Sequence, residues 1–352
     1  MKRILTNAVI PVPQGYFLRG ALAGIQVFST SLDSRLRGND VVRGLLVLLF
    51  SLLSAAHAAD FDYRLTATPV ARDVYTFIGK TEDFDTVNGG NIVNTAFIVA
   101  PQGVIVIDSG PSLRYGQQMR QAIARVSDKS VVLVINTHHH PDHFLGNQAF
   151  ADVPIGALAD TRQGITSDGN AFAENLFRMS GDWMKGTEVQ APTRTLQAGE
   201  LEVAGRRLRL IALDGHTGAD LVVLDVASGV LFAGDLAFNG RAPTTPHADV
   251  AHWLAALDRL EALTRDSGFT ALVPGHGAVT RDAAPLRQTR AWLNWLTQTM
   301  RDAARDGLDM NELLARPLPP EFADLPVAAS EYRRSVGHLF PAAEQAALEG
   351  KP

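Results

Sequence analysis

One short stretch limits this chain more than any other: Thr137-His138-His139-His140-Pro141-Asp142-His143, set directly behind the apolar run Val131-Val132-Leu133-Val134-Ile135. A short β-branched run of this kind reads as a buried strand. Side chains two apart in an extended segment share a side, so His138 and His140 point together, while Asp142 and His143 come from the turn that follows. His139 lies between them and is expected to point away, in a structural or solvent role.

The same arrangement recurs along the chain. Asp108 follows 104–107. His216 follows 207–211 in Leu213-Asp214-Gly215-His216-Thr217-Gly218. Asp235 follows 230–233 in Ala233-Gly234-Asp235, and His276 follows 271–273 in Pro274-Gly275-His276-Gly277. Ligand sites in α/β sheets gather at the carboxyl ends of strands, so five strands are expected to deliver polar groups to one edge. The sequence contains no cysteine, which excludes disulfides, thiolate zinc sites and cysteine nucleophiles and leaves imidazole and carboxylate as metal donors. His138, His140, Asp142, His143, His216, Asp235 and His276 are too many donors for one tetrahedral ion that keeps an open position. They suit two ions sharing a carboxylate and a water.

The rest of the chain offers the frame. Its 352 residues, 46% hydrophobic and 20% charged, suit one large globular domain or two modest ones. Strands are expected over 74–78, 91–99, 104–107, 131–135 and 271–273, with hairpins over 201–211 and 221–233. Helices are expected over 113–126 and 250–263, and the tail from Pro285 reads as mostly helical. Strands and helices mix in both halves, which predicts a layered α/β fold with sheets covered by helices.

Residues 1–58 are read as lying outside that fold. Arg43, the apolar run from Leu45 to Leu53 and Ala56-His57-Ala58 form a secretory signal peptide with cleavage after Ala58. The run is too short for a membrane span, so no stable membrane insertion is expected after cleavage, and the location is periplasmic. Residues 1–40 read as translated intergenic repeat DNA, with translation expected to begin near Val41 or Val42; N-terminal sequencing of unprocessed precursor checks this. Six of the 32 Lys and Arg and two of the 37 Asp and Glu precede residue 59, leaving 26 basic against 35 acidic residues, or −9. A negative surface repels phosphate backbones, so nucleic acid is excluded as a partner in favour of a small-molecule substrate.

His138-x-His140-x-Asp142-His143 followed by His216, Asp235 and His276 resembles the metal-binding pattern of the metallo-β-lactamase superfamily, from about Val74 to His276. The resemblance implies an αβ/βα four-layer sandwich, two mixed sheets flanked by helices, with a core of about 74–280 and a helical extension of about 281–350. It implies a zinc-dependent hydrolase with two Zn2+ per chain: His138, His140 and His216 on the first metal, Asp142, His143 and His276 on the second, and Asp235 bridging. Asp142 would orient the nucleophile and Asp108 would orient a ligand. Asn88-Gly89-Gly90-Asn91, the Thr-His-His-His-Pro-Asp-His-Phe-Leu-Gly-Asn wording and the signal peptide look like the SoxH-like and quinoprotein relay system zinc metallohydrolases, which implies a periplasmic quinoprotein or sulfur oxidation system as partner. Two positions depart from zinc β-lactamases. Asp235 stands where those carry cysteine or serine, as in thioesterases and lactonases, and Phe238 stands where the best-known subclass carries a lysine. An ester, thioester, lactone or amide is therefore expected ahead of a β-lactam. A sulfur dioxygenase using a single Fe2+ resembles the same ligand run and is the rival reading; a non-catalytic periplasmic metal-binding protein is the other.

Arg241 and His247, on the loop after Asp235, are candidate substrate contacts. Phe172, Leu176, Phe177, Met179, Trp183 and Met184 read as either an apolar lid or plain packing, and Glu82-Asp83-Phe84-Asp85 as an acidic flap or a solvated loop. The apolar residues of 321–348 suffice for a homodimer contact.

Overall fold

The computed structural model describes residues 61–350; the segment expected to be a signal peptide and the extension before it lie outside the described residues. The first sheet has seven strands in chain order: β1 (Thr68–Ala71), β2 (Val74–Phe77), β3 (Thr95–Ala100), β4 (Gly103–Ile107), β5 (Val131–Ile135), β6 (Ile155–Ala157) and β7 (Arg194–Thr195). β1 to β4 pair antiparallel and β4 to β7 parallel. Helix α1 (Leu113–Ala124) crosses from β4 to β5, and α2 (Pro141–Phe144) and α3 (Ala159–Ser180) follow β5 and β6.

The second sheet has the order β12-β11-β10-β9-β8, from β8 (Gly199–Val203), β9 (Arg206–Leu213), β10 (Asp220–Asp225), β11 (Val230–Asn239) and β12 (Ala271–Gly277). Only β11 and β12 pair parallel, joined through α4 (Val250–Thr264). The tail holds α5 (Ala284–Arg305), α6 (Met310–Leu314), α7 (Pro320–Ala323) and α8 (Ala328–Leu348).

Side-chain alternation builds the layers. Ile105 and Ile107 of β4 face a core shared with Leu210, Val223, Phe232 and Val273 of the second sheet, whereas Val104 and Val106 face Tyr115 and Met119 of α1. Val222 and Leu231 turn outward onto Trp253, Trp292 and Phe340 of α4, α5 and α8. The result is helix, sheet, sheet, helix. Of the apolar residues of α8, Tyr332, Val336 and Phe340 pack on the α5 side of the second sheet, while Leu348 is exposed. Among the described residues no helix is long and apolar enough to cross a membrane.

Three strand boundaries differ from the sequence reading. Residues 91–94 form a turn before β3, because Asn94 directs its backbone and side chain to β12. β11 and β12 run on through Asp235 and His276, which therefore sit inside strands and not beyond their ends. Register shifts on either side of Gly234, whose φ is +53°, let the ladder continue while Asp235 is aimed inward.

A buried ion pair closes the far end of the second sheet. Arg206 Nε and Nη2 donate to Asp225 at 2.7 and 2.5 Å, and Asp225 is fully buried. Arg206→Ala leaves that carboxylate unpaired, and chemical denaturation is expected to show a loss of about 3–5 kcal/mol; a loss within about 0.5 kcal/mol would refute the pairing as a stabilising element.

Candidate active site

β4, β5, β9, β11 and β12 each bring polar side chains to one edge of the sandwich. All seven predicted donors are buried there. His138, His140, His216 and Asp235 place one atom each within 4.8 Å of one another, and Asp142, His143 and His276 form an adjoining group. Asp235 touches both. Its Oδ2 stands 3.3 Å from His216 Nε2 and 3.2 Å from His276 Nε2, and its Oδ1 stands 3.1 Å from His143 Nε2. Asp142 Oδ2 lies 3.5 Å from His276 Nε2 and 3.9 Å from His143 Nε2.

Neighbouring groups set the ring orientations. Asp108 accepts from the Thr137 backbone N–H and hydroxyl, both at 2.8 Å, and from His143 Nδ1 at 2.8 Å. Thr137 Oγ1, having donated to Asp108, accepts from His138 Nδ1 at 3.1 Å. His276 Nδ1 donates to the Ile92 carbonyl at 2.7 Å. Each of these three rings thus fixes Nδ1 outward and turns Nε2 to the centre. Asp108 holds this post with φ +56°, a left-handed conformation that Asp and Asn tolerate.

The centre has the chemistry of a metal site. His138 Nε2, His143 Nε2 and Asp235 Oδ1 are buried and make no hydrogen bond among the described residues, although they face one another. Groups of this kind are ordinarily paired, and a shared cation is what would satisfy them all. Burial, then repulsion from His143, holds His138 well below the ordinary histidine range. Burial and His216 do the same for His140, and burial puts His216 at about 3. Neutral imidazole is the form that ligates. For His143 burial also pulls downward, but the carboxylates of Asp235, Asp108 and Asp142 outweigh it and hold the ring well above its ordinary value.

The lesser candidates divide. His247 is exposed, and its Nδ1 lies 2.8 Å from His140 Nε2, the nitrogen opposite the one that meets His216. Arg241 is buried. His139, expected to point away, instead packs its ring against Gly164 of α3 and offers a nitrogen within 4.8 Å of ligand atoms of His140 and His247. In α3, Phe172 and Met179 line a cavity of about 260 Å3 above the His/Asp groups, while Leu176 of α3 and Met184 just after it are ordinary core. Phe84, from the acidic loop, also lines the cavity. Phe238 fills the lysine position with a ring stacked on His276, centroids 5.0 Å apart. Sequence reasoning missed Glu331 and Arg334, which line the cavity from α8; as isolated charges on a helix they carried no signal.

Fold and site together define two helix-covered sheets that carry a buried His/Asp centre at one edge. The chain belongs to the metallo-β-lactamase superfamily, whose family model matches residues 88–276, more than half of its length. Among curated relatives it is 25% identical over 287 residues to the linear primary-alkylsulfatase of a Pseudomonas strain, covering 68% of this chain and 53% of that protein. It is likewise 25% identical over 205 residues to the acyl-coenzyme A thioesterase MBLAC2 of Bos taurus, covering 53% and 74%. The chain thus spans about half the length of the alkylsulfatase. Among solved structures, a metallo-β-lactamase from Pontibacter korlensis superposes with TM-score 0.52 at 22% identity, over 65% of this chain and 99% of that one, a likeness of fold.

Proposed function

We propose that the protein is a periplasmic dinuclear zinc hydrolase of an ester, thioester, lactone or amide bond, exported by the segment ending at Ala58 and serving a quinoprotein or sulfur oxidation system. The observation that carries the hydrolase reading is the pair of adjoining His/Asp groups that share Asp235 beneath one cavity. In this reading His138, His140 and His216 would hold one ion, Asp142, His143 and His276 would hold the other, and Asp235 would serve both. Two zinc ions supply Lewis acidity and a water that ionises near neutral pH. The chain's residues do the positioning. Asp142, buried at the cavity floor, orients the attacking water, and Asp108 holds His143 in one tautomer. The hydrolase names of the alkylsulfatase and the thioesterase support an ester-class bond, and Phe238 in place of a lysine disfavours a β-lactam.

Mass spectrometry of protein purified without added metal tests the reading: about two zinc per chain is expected, followed by turnover in a panel of esters, thioesters and lactones. One iron per chain would instead establish the dioxygenase, with oxygen uptake on sulfur substrates. Metal without turnover of any panel member would leave the accessory-protein reading. Asp108→Asn keeps the left-handed backbone and removes the charge behind His143. Zinc affinity is expected to fall about 10–100-fold, read by competition with a chromogenic chelator; an unchanged affinity would dismiss Asp108 from the site.

A further inference from the structure

The cavity has two unlike walls. One is apolar, formed by Phe84, Phe172, Met179 and Pro246. The other is charged and comes from two distant parts of the chain, Arg241 on the loop after β11 and Glu331 with Arg334 on α8.

Arg241 is 2% exposed, with its guanidinium over the Phe238 ring at 5.9 Å. Its Nε donates to the Glu82 carbonyl at 3.3 Å and its Nη2 reaches Glu331 Oε1 at 3.5 Å, but Nη1 is buried without a hydrogen-bond partner among the described residues. A guanidinium cannot shed its charge, and a buried donor left unmade is costly. Glu331, fully buried, shares its Oε1 with Arg334 Nη1 at 2.9 Å, and Arg334 Nη2 donates to Asp83 at 2.7 Å, so the two arginines meet two acids. Within this balanced group Arg241 Nη1 is the buried donor that stays unmatched among the described residues. Arginine forks match planar or tetrahedral oxyanions. Glu331 and Arg334 lie beyond residue 276, where the family match ends, so the α8 half of this wall lies outside that match.

We infer that the cavity takes an amphiphilic acid: a molecule whose oxyanion group is gripped by Arg241 and Arg334 and whose apolar segment lies against Phe172, Met179 and Phe84, with α8 an integral wall of the binding site. That this molecule is the substrate rests on the hydrolase reading; that it binds does not.

Calorimetric titration of the zinc-loaded full chain tests it with octane-1-sulfonate, which has no hydrolysable bond and a head group that ligates metals weakly. Methanesulfonate and 1-octanol serve as the half-molecules. Octane-1-sulfonate is expected to bind at least about tenfold more tightly than either. Arg334→Gln should weaken it about tenfold and leave 1-octanol unchanged, and Phe172→Ala should weaken octane-1-sulfonate but not methanesulfonate. Because Arg241→Gln strips Glu331 of a partner, the double variant Arg241→Gln/Glu331→Gln keeps the buried charge balanced; it too should lose about tenfold while melting cooperatively. Equal binding of octane-1-sulfonate and 1-octanol would overturn the inference, as would wild-type affinity in both arginine variants. No titration depends on turnover, so a failed ester panel sinks the hydrolase reading alone, and a failed titration sinks the amphiphile alone.

Discussion

Asp235→Ala is expected to leave a folded protein whose turnover of its best panel substrate falls by at least about 10³-fold, with zinc content dropping below two per chain. The reason is position. Asp235 is the one carboxylate within 3.3 Å of histidines from both groups, so no neighbour can replace it. Burial opposes its ionisation, yet His276 and His143 hold it well below the usual carboxylate range. Asp235 is in turn the strongest of the carboxylates that keep the His143 proton in place. Metal must displace that proton, so wild-type zinc affinity should fall as pH drops, and it should fall less steeply in the variant. Two tightly bound zinc ions with near-normal rates in Asp235→Ala would refute the shared-carboxylate assignment.

Gly275→Ala is expected to be nearly as damaging to activity, although the side chain it adds is a single methyl. That Cβ would stand 1.9 Å from Asp235 Oδ1, 2.8 Å from the Gly234 carbonyl carbon and 2.9 Å from Asp235 N. Two of these three atoms are backbone of the paired strand β11, which cannot swing aside, and the third is the shared carboxylate. The clash therefore spreads the β11–β12 ladder or expels Asp235. Overpacking of this kind costs about 1–3 kcal/mol, so thermal melting should show a lower midpoint together with weakened zinc uptake. A variant with unchanged melting and full zinc content would mean that the strands have room the geometry denies.

The centre was legible in the sequence because its residues violate their surroundings: His138, His140, Asp142 and His143 crowd behind a strand that is otherwise uninterrupted hydrocarbon, and His216, Asp235 and His276 follow glycines after similar runs. The layers were legible from alternation, as in Val104 to Ile107, where consecutive side chains supply two different cores. Strand ends at Asp235 and His276 were misjudged because periodicity stops at a bulge, whereas pairing does not. The charged wall was invisible for another reason. Glu331 and Arg334 are three apart on a helix, the spacing of an ordinary surface pair, and only the tertiary approach of α8 to Arg241 and Asp83 gives them a role.

Asn94 carries a consequence in time. Its side chain donates to the Pro274 and Gly277 carbonyls, 180 and 183 residues away, just as Ile92 receives His276 across 184. Closing loops of that length is slow compared with forming helices or hairpins. During refolding the His138–His143 stretch can take shape early, from neighbours alone, but His276 cannot join it until both sheets have met. Zinc capture should therefore trail the recovery of helical signal in stopped-flow refolding, and a truncated chain arrested before β12 can present only the earlier His/Asp groups.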